Sequence, residues 1–140
     1  MRGSCQGSCL CGAVAYEIQP YDMKIGHCSC RTCRKAHAAP FAATTRVPRD
    51  HFSFLKGEDR LTSFESSPGK LRRFCSVCGS HVLAERPADP WVILRVATLD
   101  DDPGARPLIH IWRSHEVPWC ASDGAEGGDI KDFAEWPPGR

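Results

Sequence analysis

The sequence predicts an all-β domain, and three observations carry that prediction. Apolar residues alternate or gather in short runs instead of recurring at helical spacing. Glycine- and proline-rich turns separate those runs, the chain holding 12 Gly and 11 Pro. Most of its nine cysteines fall into C-x-C and C-x-x-C groups, the spacing of metal-binding knuckles set between short strands. A chain of 140 residues can bury roughly two-thirds of its unfolded surface in one core. A single domain over 1–140 is therefore expected, with its body at about 3–120 and a tail at 121–140.

Each element has its own reason. Residues 3–12 are rich in glycine and serine and read as a loop carrying Cys9 and Cys11. From Ala13 to Gln19, Val14, Tyr16 and Ile18 alternate with Glu17 and Gln19, a half-buried strand that Pro20 ends. Arg31 to Ala39 makes one or two helical turns before Pro40 stops it. Phe41 to Val47 is a strand, its Thr44 and Thr45 suited to a pleated surface. His51–Leu55 and Leu61–Phe64 read as a hairpin-like pair around Lys56-Gly57-Glu58-Asp59. Leu71–Phe74 leads into Cys75-Ser76-Val77-Cys78-Gly79, a knuckle whose glycine lets the chain turn back, and Val82 and Leu83 continue beyond it. Trp91–Leu99 is the most continuous apolar run and reads as the central strand. Leu108–Trp112 follows as the last strong strand, and Phe133 and Trp136 are the rings expected to dock the tail.

The 18 basic and 17 acidic residues leave a net charge of +1, which makes no electrostatic case for nucleic acid or an anionic membrane. No apolar run approaches the roughly 18 residues that span a bilayer, and Met1-Arg2-Gly3-Ser4-Cys5 lacks an apolar signal core. A cytoplasmic protein is the expectation. In a reducing compartment, an odd number of tightly clustered cysteines points to metal ligation over disulfides.

Cys9 and Cys11 form one half of a tetrahedral site and Cys75 and Cys78 the other, so together they make a closed, structural four-cysteine zinc centre. Cys28, Cys30 and Cys33 are one ligand short. Either a fourth protein ligand closes that site, from His27, His37, Cys5 or Cys120, or its open position takes a substrate thiol. A metal-bound thiol is deprotonated, and zinc held by three thiolates polarises water poorly while leaving a bound sulfur nucleophilic. Carbon–sulfur bond making and breaking follows more naturally than hydrolysis, with Cys28, Cys30 and Cys33 as the catalytic centre. Arg31, Arg34 and Lys35 offset its charge or hold substrate carboxylates. His51, His81, His110 and His115 carry no ligand spacing and read as structural, and Cys5 and Cys120 as free thiols. Two rival readings stand beside this one: a non-catalytic, zinc-stabilised binding domain, and a thiol-redox or zinc-handling protein.

Gly7-Ser8-Cys9-Leu10-Cys11-Gly12-Ala13-Val14-Ala15-Tyr16, His27 to His37, Arg73 to Ser80, and His110-Ile111-Trp112 with Trp119 carry a further resemblance. Over about residues 3–120 the chain resembles the glutathione-dependent formaldehyde-activating enzyme (GFA) family, which shares its domain with centromere protein V. The resemblance implies an Mss4-like fold of stacked antiparallel sheets with zinc-binding knuckles and two zinc ions per chain. It implies structural ligation by Cys9, Cys11, Cys75 and Cys78 and catalytic ligation by Cys28, Cys30 and Cys33. It also implies a carbon–sulfur lyase that condenses glutathione with formaldehyde to S-hydroxymethylglutathione. Cys120 and the acidic, glycine-rich tail depart from the family pattern, both outside the ligand set.

Overall fold

The computed structural model describes residues 1–120 and 130–139. Its strands are β1 (Cys5–Ser8), β2 (Ala15–Ile18), β3 (Ile25–Cys28), β4 (Ala42–Pro48), β5 (Phe52–Lys56), β6 (Leu61–Ser67), β7 (Lys70–Cys75), β8 (His81–Glu85), β9 (Trp91–Arg95) and β10 (Pro107–Ile111). One short helix, α1 (Arg31–His37), lies between β3 and β4. The strands form a three-stranded sheet, β1-β2-β5, and a seven-stranded sheet, β10-β3-β4-β9-β8-β7-β6. All pairings are antiparallel except β10 with β3 at one edge. The all-β expectation holds, and β9, cut from the most apolar run, is the middle strand of the larger sheet. It stops at Arg95, where Val96–Thr98 tightens into a 3-10 turn.

Two expectations need correction. Residues 3–12 are not loop throughout, because Cys5–Ser8 pairs with β2. The reason is tertiary: a Cβ at Gly7 would overlap the Tyr16 ring, so glycine lets β1 lie against that side chain. The stretches around residues 56–59 do not form a hairpin, since β5 pairs with β2 and β6 pairs with β7 in the other sheet. Gly57, at φ +76 and too close to the Ala13 carbonyl to carry a Cβ, starts a 3-10 turn at Glu58–Arg60 that sends the chain from one sheet to the next. Within the tail, 121–129 lies outside the described residues, and Phe133 and Trp136 are 50% and 70% exposed.

The main core fills the space between the sheets. Tyr16 and Ile18 of β2 meet Val47, Val82, Leu83, Val92 and Leu94 of the seven-stranded sheet, all buried. Strand alternation then assigns the other face. The register places Cys28 opposite Ala42, Thr44 opposite Arg95, and Ile93 opposite Ala84, which in turn faces Arg72. This second face, turned away from the core, is the floor of the functional site. No helix among the described residues is long and apolar enough to cross a membrane.

Candidate metal centres

The first cysteine group joins two distant turns. Cys9 and Cys11 leave the end of β1, while Cys75 ends β7 and Cys78 lies in the turn to β8. The Sγ atoms of all four lie within 4.8 Å of one another, with Cys9 to Cys11 at 3.6 Å and Cys11 to Cys75 at 3.9 Å. Backbone N–H groups point at the sulfurs: Val14 at Cys9 (3.3 Å) and Val77 at Cys75 (3.4 Å). Gly79 adopts φ +79, the left-handed turn expected after the second knuckle cysteine. Ser80 ties the halves together, its Oγ accepting from Leu10 N–H at 3.0 Å and lying 3.3 Å from Cys78 Sγ. The Ser80 hydroxyl and backbone N–H draw the Cys78 thiol down to about 5.

The second group is local. Cys28 ends β3, Cys30 caps α1 with its Sγ accepting the Cys33 N–H at 3.3 Å, and Cys33 sits in the first helical turn. Strand end, cap and first turn thus converge three Sγ atoms within 4.8 Å of one another. Among the described residues, no fourth Cys, His, Asp or Glu donor joins the group. Of the candidate closing ligands, Cys5 lies on β1 in the smaller sheet, and His27 stacks on Phe41 at 4.2 Å. His37 packs against His81 at 4.7 Å, and Cys120 N–H donates to Val117 O. Burial pushes the Cys28 thiol up to about 12, so this site releases protons when it takes a cation. Ser29, fully buried between two of the ligands, is pinned by its Oγ to His110 Nε2 at 2.6 Å and by its N–H to Ile111 O. That gives His110 a structural role at the site.

A cavity of about 660 Å³ opens beside Cys28 and Cys33. Its walls carry Lys24, Arg46, Lys70 and Arg95 together with Thr44 and Ile93. Two guanidinium groups near the thiols are buried. Arg72 is 3% exposed and places Nη1 and Nη2 3.9 and 3.8 Å from Cys33 Sγ, and Arg95 is 5% exposed. The helix cations stand elsewhere: Arg31 and Lys35 are exposed, Arg34 Nε donates to Ser29 O at 3.2 Å, and none of the three lines this cavity. Arg72, Arg95 and Lys70 escaped the sequence reading. The available signal was a cation closing the most apolar strand, at the same alternation as Ile93.

Two groups of converging thiols on a two-sheet β scaffold, one of four and one of three beside a cavity, define a β protein with two centres that can hold metal ions. The sequence pattern of the glutathione-dependent formaldehyde-activating enzymes matches residues 4–115, and the chain belongs to that family. A Halomonas elongata protein, whose name assigns it provisionally to the same enzyme type, is 31% identical over 150 residues, covering 94% of this chain and 92% of that protein. A Rhodobacter sphaeroides protein of known crystal structure shares the fold, with a TM-score of 0.59 at 24% identity over 69% of this chain and 89% of that one.

Proposed function

We propose that the protein is a zinc-dependent carbon–sulfur lyase that joins a small thiol, such as glutathione, to an aldehyde such as formaldehyde. The observation that carries this reading is the three-thiol group with no fourth protein donor among the described residues, opening onto a cavity. The donor chemistry fits zinc: Zn–S bonds of about 2.3 Å imply tetrahedral S–S edges of about 3.8 Å. The 3.6 and 3.9 Å separations in the four-cysteine group bracket that value and far exceed a disulfide's ~2 Å. Cys9, Cys11, Cys75 and Cys78 would hold a structural ion, and Cys28, Cys30 and Cys33 a catalytic one.

Zinc held by Cys28, Cys30 and Cys33 would supply thiol activation at neutral pH, keeping a substrate sulfur deprotonated and nucleophilic. The chain's own residues supply position. The α1 cap orients Cys30, Arg72 orients Cys33, and the cavity volume falls within the roughly 300–1,000 Å³ typical of small-molecule sites. Lys24, Arg46 and Lys70 on its walls suit a substrate bearing carboxylates, with Arg31, Arg34 and Lys35 as further cations at the helix. The reaction forms one C–S bond. The sulfur lone pair attacks the aldehyde carbon, the carbonyl π pair moves to oxygen, and that oxygen takes up the proton the thiol gave up.

The test is NMR of adduct formation from glutathione and formaldehyde with zinc-loaded protein, with Cys30→Ala, and without protein. Acceleration by wild type that Cys30→Ala abolishes is the expected result. Equal rates in all three samples would overturn the lyase reading and favour a non-catalytic zinc-stabilised binding domain.

A further inference from the structure

The two arginines beside the three-cysteine group have no carboxylate partner among the described residues. Neither Arg72 nor Arg95 joins any ion pair among the described residues, although both are more than nine-tenths buried. A buried charge left unpaired is strongly unfavourable, so both cations need an anion. Each faces the same one. Arg72 donates to Ser66 Oγ through Nε at 2.9 Å and turns its two terminal nitrogens to Cys33 Sγ. Arg95 leaves Nε and Nη2 buried without a hydrogen-bond partner, lines the cavity with Cys28 and Cys33, and interacts electrostatically with all three thiols of the group. The neighbouring imidazoles add no charge. Burial, with the Arg95 guanidinium next, holds His37 and His81 below the ordinary histidine range. Lys70, half-buried on the cavity wall, adds to the positive field.

The charges can then be counted. Three thiolates around a divalent ion carry one net negative charge, while the two buried guanidiniums carry two positive ones. One more anionic ligand brings the buried cluster to neutrality. A neutral ligand, such as water or imidazole, leaves it positive.

We propose that Arg72 and Arg95 are positioning residues that make the open position of the Cys28/Cys30/Cys33 centre selective for an anionic ligand, so that a thiol is held there as its thiolate. This deepens the thiol-binding reading given above and rests on it. It also assigns these arginines a role distinct from that of Lys24, Arg46 and Lys70 on the cavity wall, which would meet carboxylates on the far end of the substrate.

Cobalt(II) in place of zinc provides the test, because its visible bands change when the fourth ligand changes. Wild type, Arg72→Met, Arg95→Met and the corresponding Lys variants would be titrated with 2-mercaptoethanol, which has no carboxylate, and separately with imidazole. Removing one partner of a buried charge cluster can destabilise a fold, so the Lys variants keep the charge at each position, and the spectrum of the four-cysteine centre reports directly whether each variant is folded. The expected result is that wild type prefers the thiol, that each Met variant loses about tenfold or more of its thiol affinity while keeping its affinity for imidazole, and that Lys restores the preference. Met variants that bind 2-mercaptoethanol as tightly as wild type would overturn the inference and leave the thiol reading intact. A wild-type protein that binds no thiol would overturn both.

Discussion

Emptying the four-cysteine centre should cost far more stability than emptying the three-cysteine one, because of the length of chain each closes. Cys11 and Cys75 stand 64 residues apart, whereas Cys28 to Cys33 spans a strand end and one helical turn. If a bound ion acts as a cross-link, closing the long loop restrains the unfolded chain by about 4 kcal/mol and closing the short one by about 2 kcal/mol. Packing widens the gap. Cys9 and Cys75 belong to the main core, whereas Cys28 and Cys33 form a small separate cluster with Ala42. For a chain of 140 residues, about 4 kcal/mol corresponds to a drop in Tm of roughly 12 °C. The suitable variant is Cys11→Ser with Cys78→Ser, because these are the less buried ligands of the group and their truncation opens little cavity. The partner variant is Cys30→Ser. Zinc per chain would be counted by native mass spectrometry and Tm followed by circular dichroism. The double variant should keep one ion and melt at least roughly 12 °C lower, and Cys30→Ser should keep one ion and lose about half as much. A double variant melting with wild type would refute the structural role, and a Cys30→Ser protein that lost both ions would refute the separation of the centres.

Two further outcomes are expected. Gly7→Ala should lower stability by about 1–3 kcal/mol, because its Cβ meets the Tyr16 ring and the Thr98 carbonyl; an unchanged urea midpoint would show that β1 does not need the glycine. Burial, then Arg95 and His81, lowers His37 from 6.5 to about 3, and burial lowers His81 as well. Both imidazoles are neutral in either state above pH about 6.5, where their contribution is complete. As pH falls from there toward about 3, the unfolded chain binds protons that the folded chain refuses, and stability drops. His37→Leu should flatten that slope in urea melts between pH 6.5 and 4.5, and a slope identical to wild type would contradict the assignment.

The two cysteine clusters were legible because ligand spacing is a local property. A C-x-C or C-x-x-C group converges through one turn, and Gly79 marks that turn in the sequence itself. The strand carrying Tyr16 and the apolar run at Trp91 were legible for a related reason, since alternation and burial are written residue by residue. What escaped depends on partners far along the chain. The first strand exists because a tyrosine nine residues later lies against Gly7, and its Gly-Ser composition argues the other way. The separation of β5 from β6 depends on Gly57 meeting the Ala13 carbonyl. The pairing of β7 with β8 also shifts register between Arg73 and Phe74. No period-two reading of one strand can anticipate that shift.

Arg95 shows why core and site are specified together. On β9, Val92 and Leu94 enter the core while Ile93 and Arg95 turn to the cavity, and the pairing with β4 sets Leu94 opposite Thr45 and Arg95 opposite Thr44. A slip of one residue would exchange the faces. It would drive a guanidinium into an apolar core beside Tyr16 and set a leucine beside the thiols, so the core and the charge balance of the three-cysteine centre would be lost at once. The penalty of burying an unpaired charge among those apolar residues therefore guards the register. The same register turns the cation to the cavity that Cys28 and Cys33 also line, so its placement is fixed by the middle strand of the sheet and does not depend on an adaptable loop. A substrate bound as proposed would meet a field already in place, and little of its binding energy would go into arranging it.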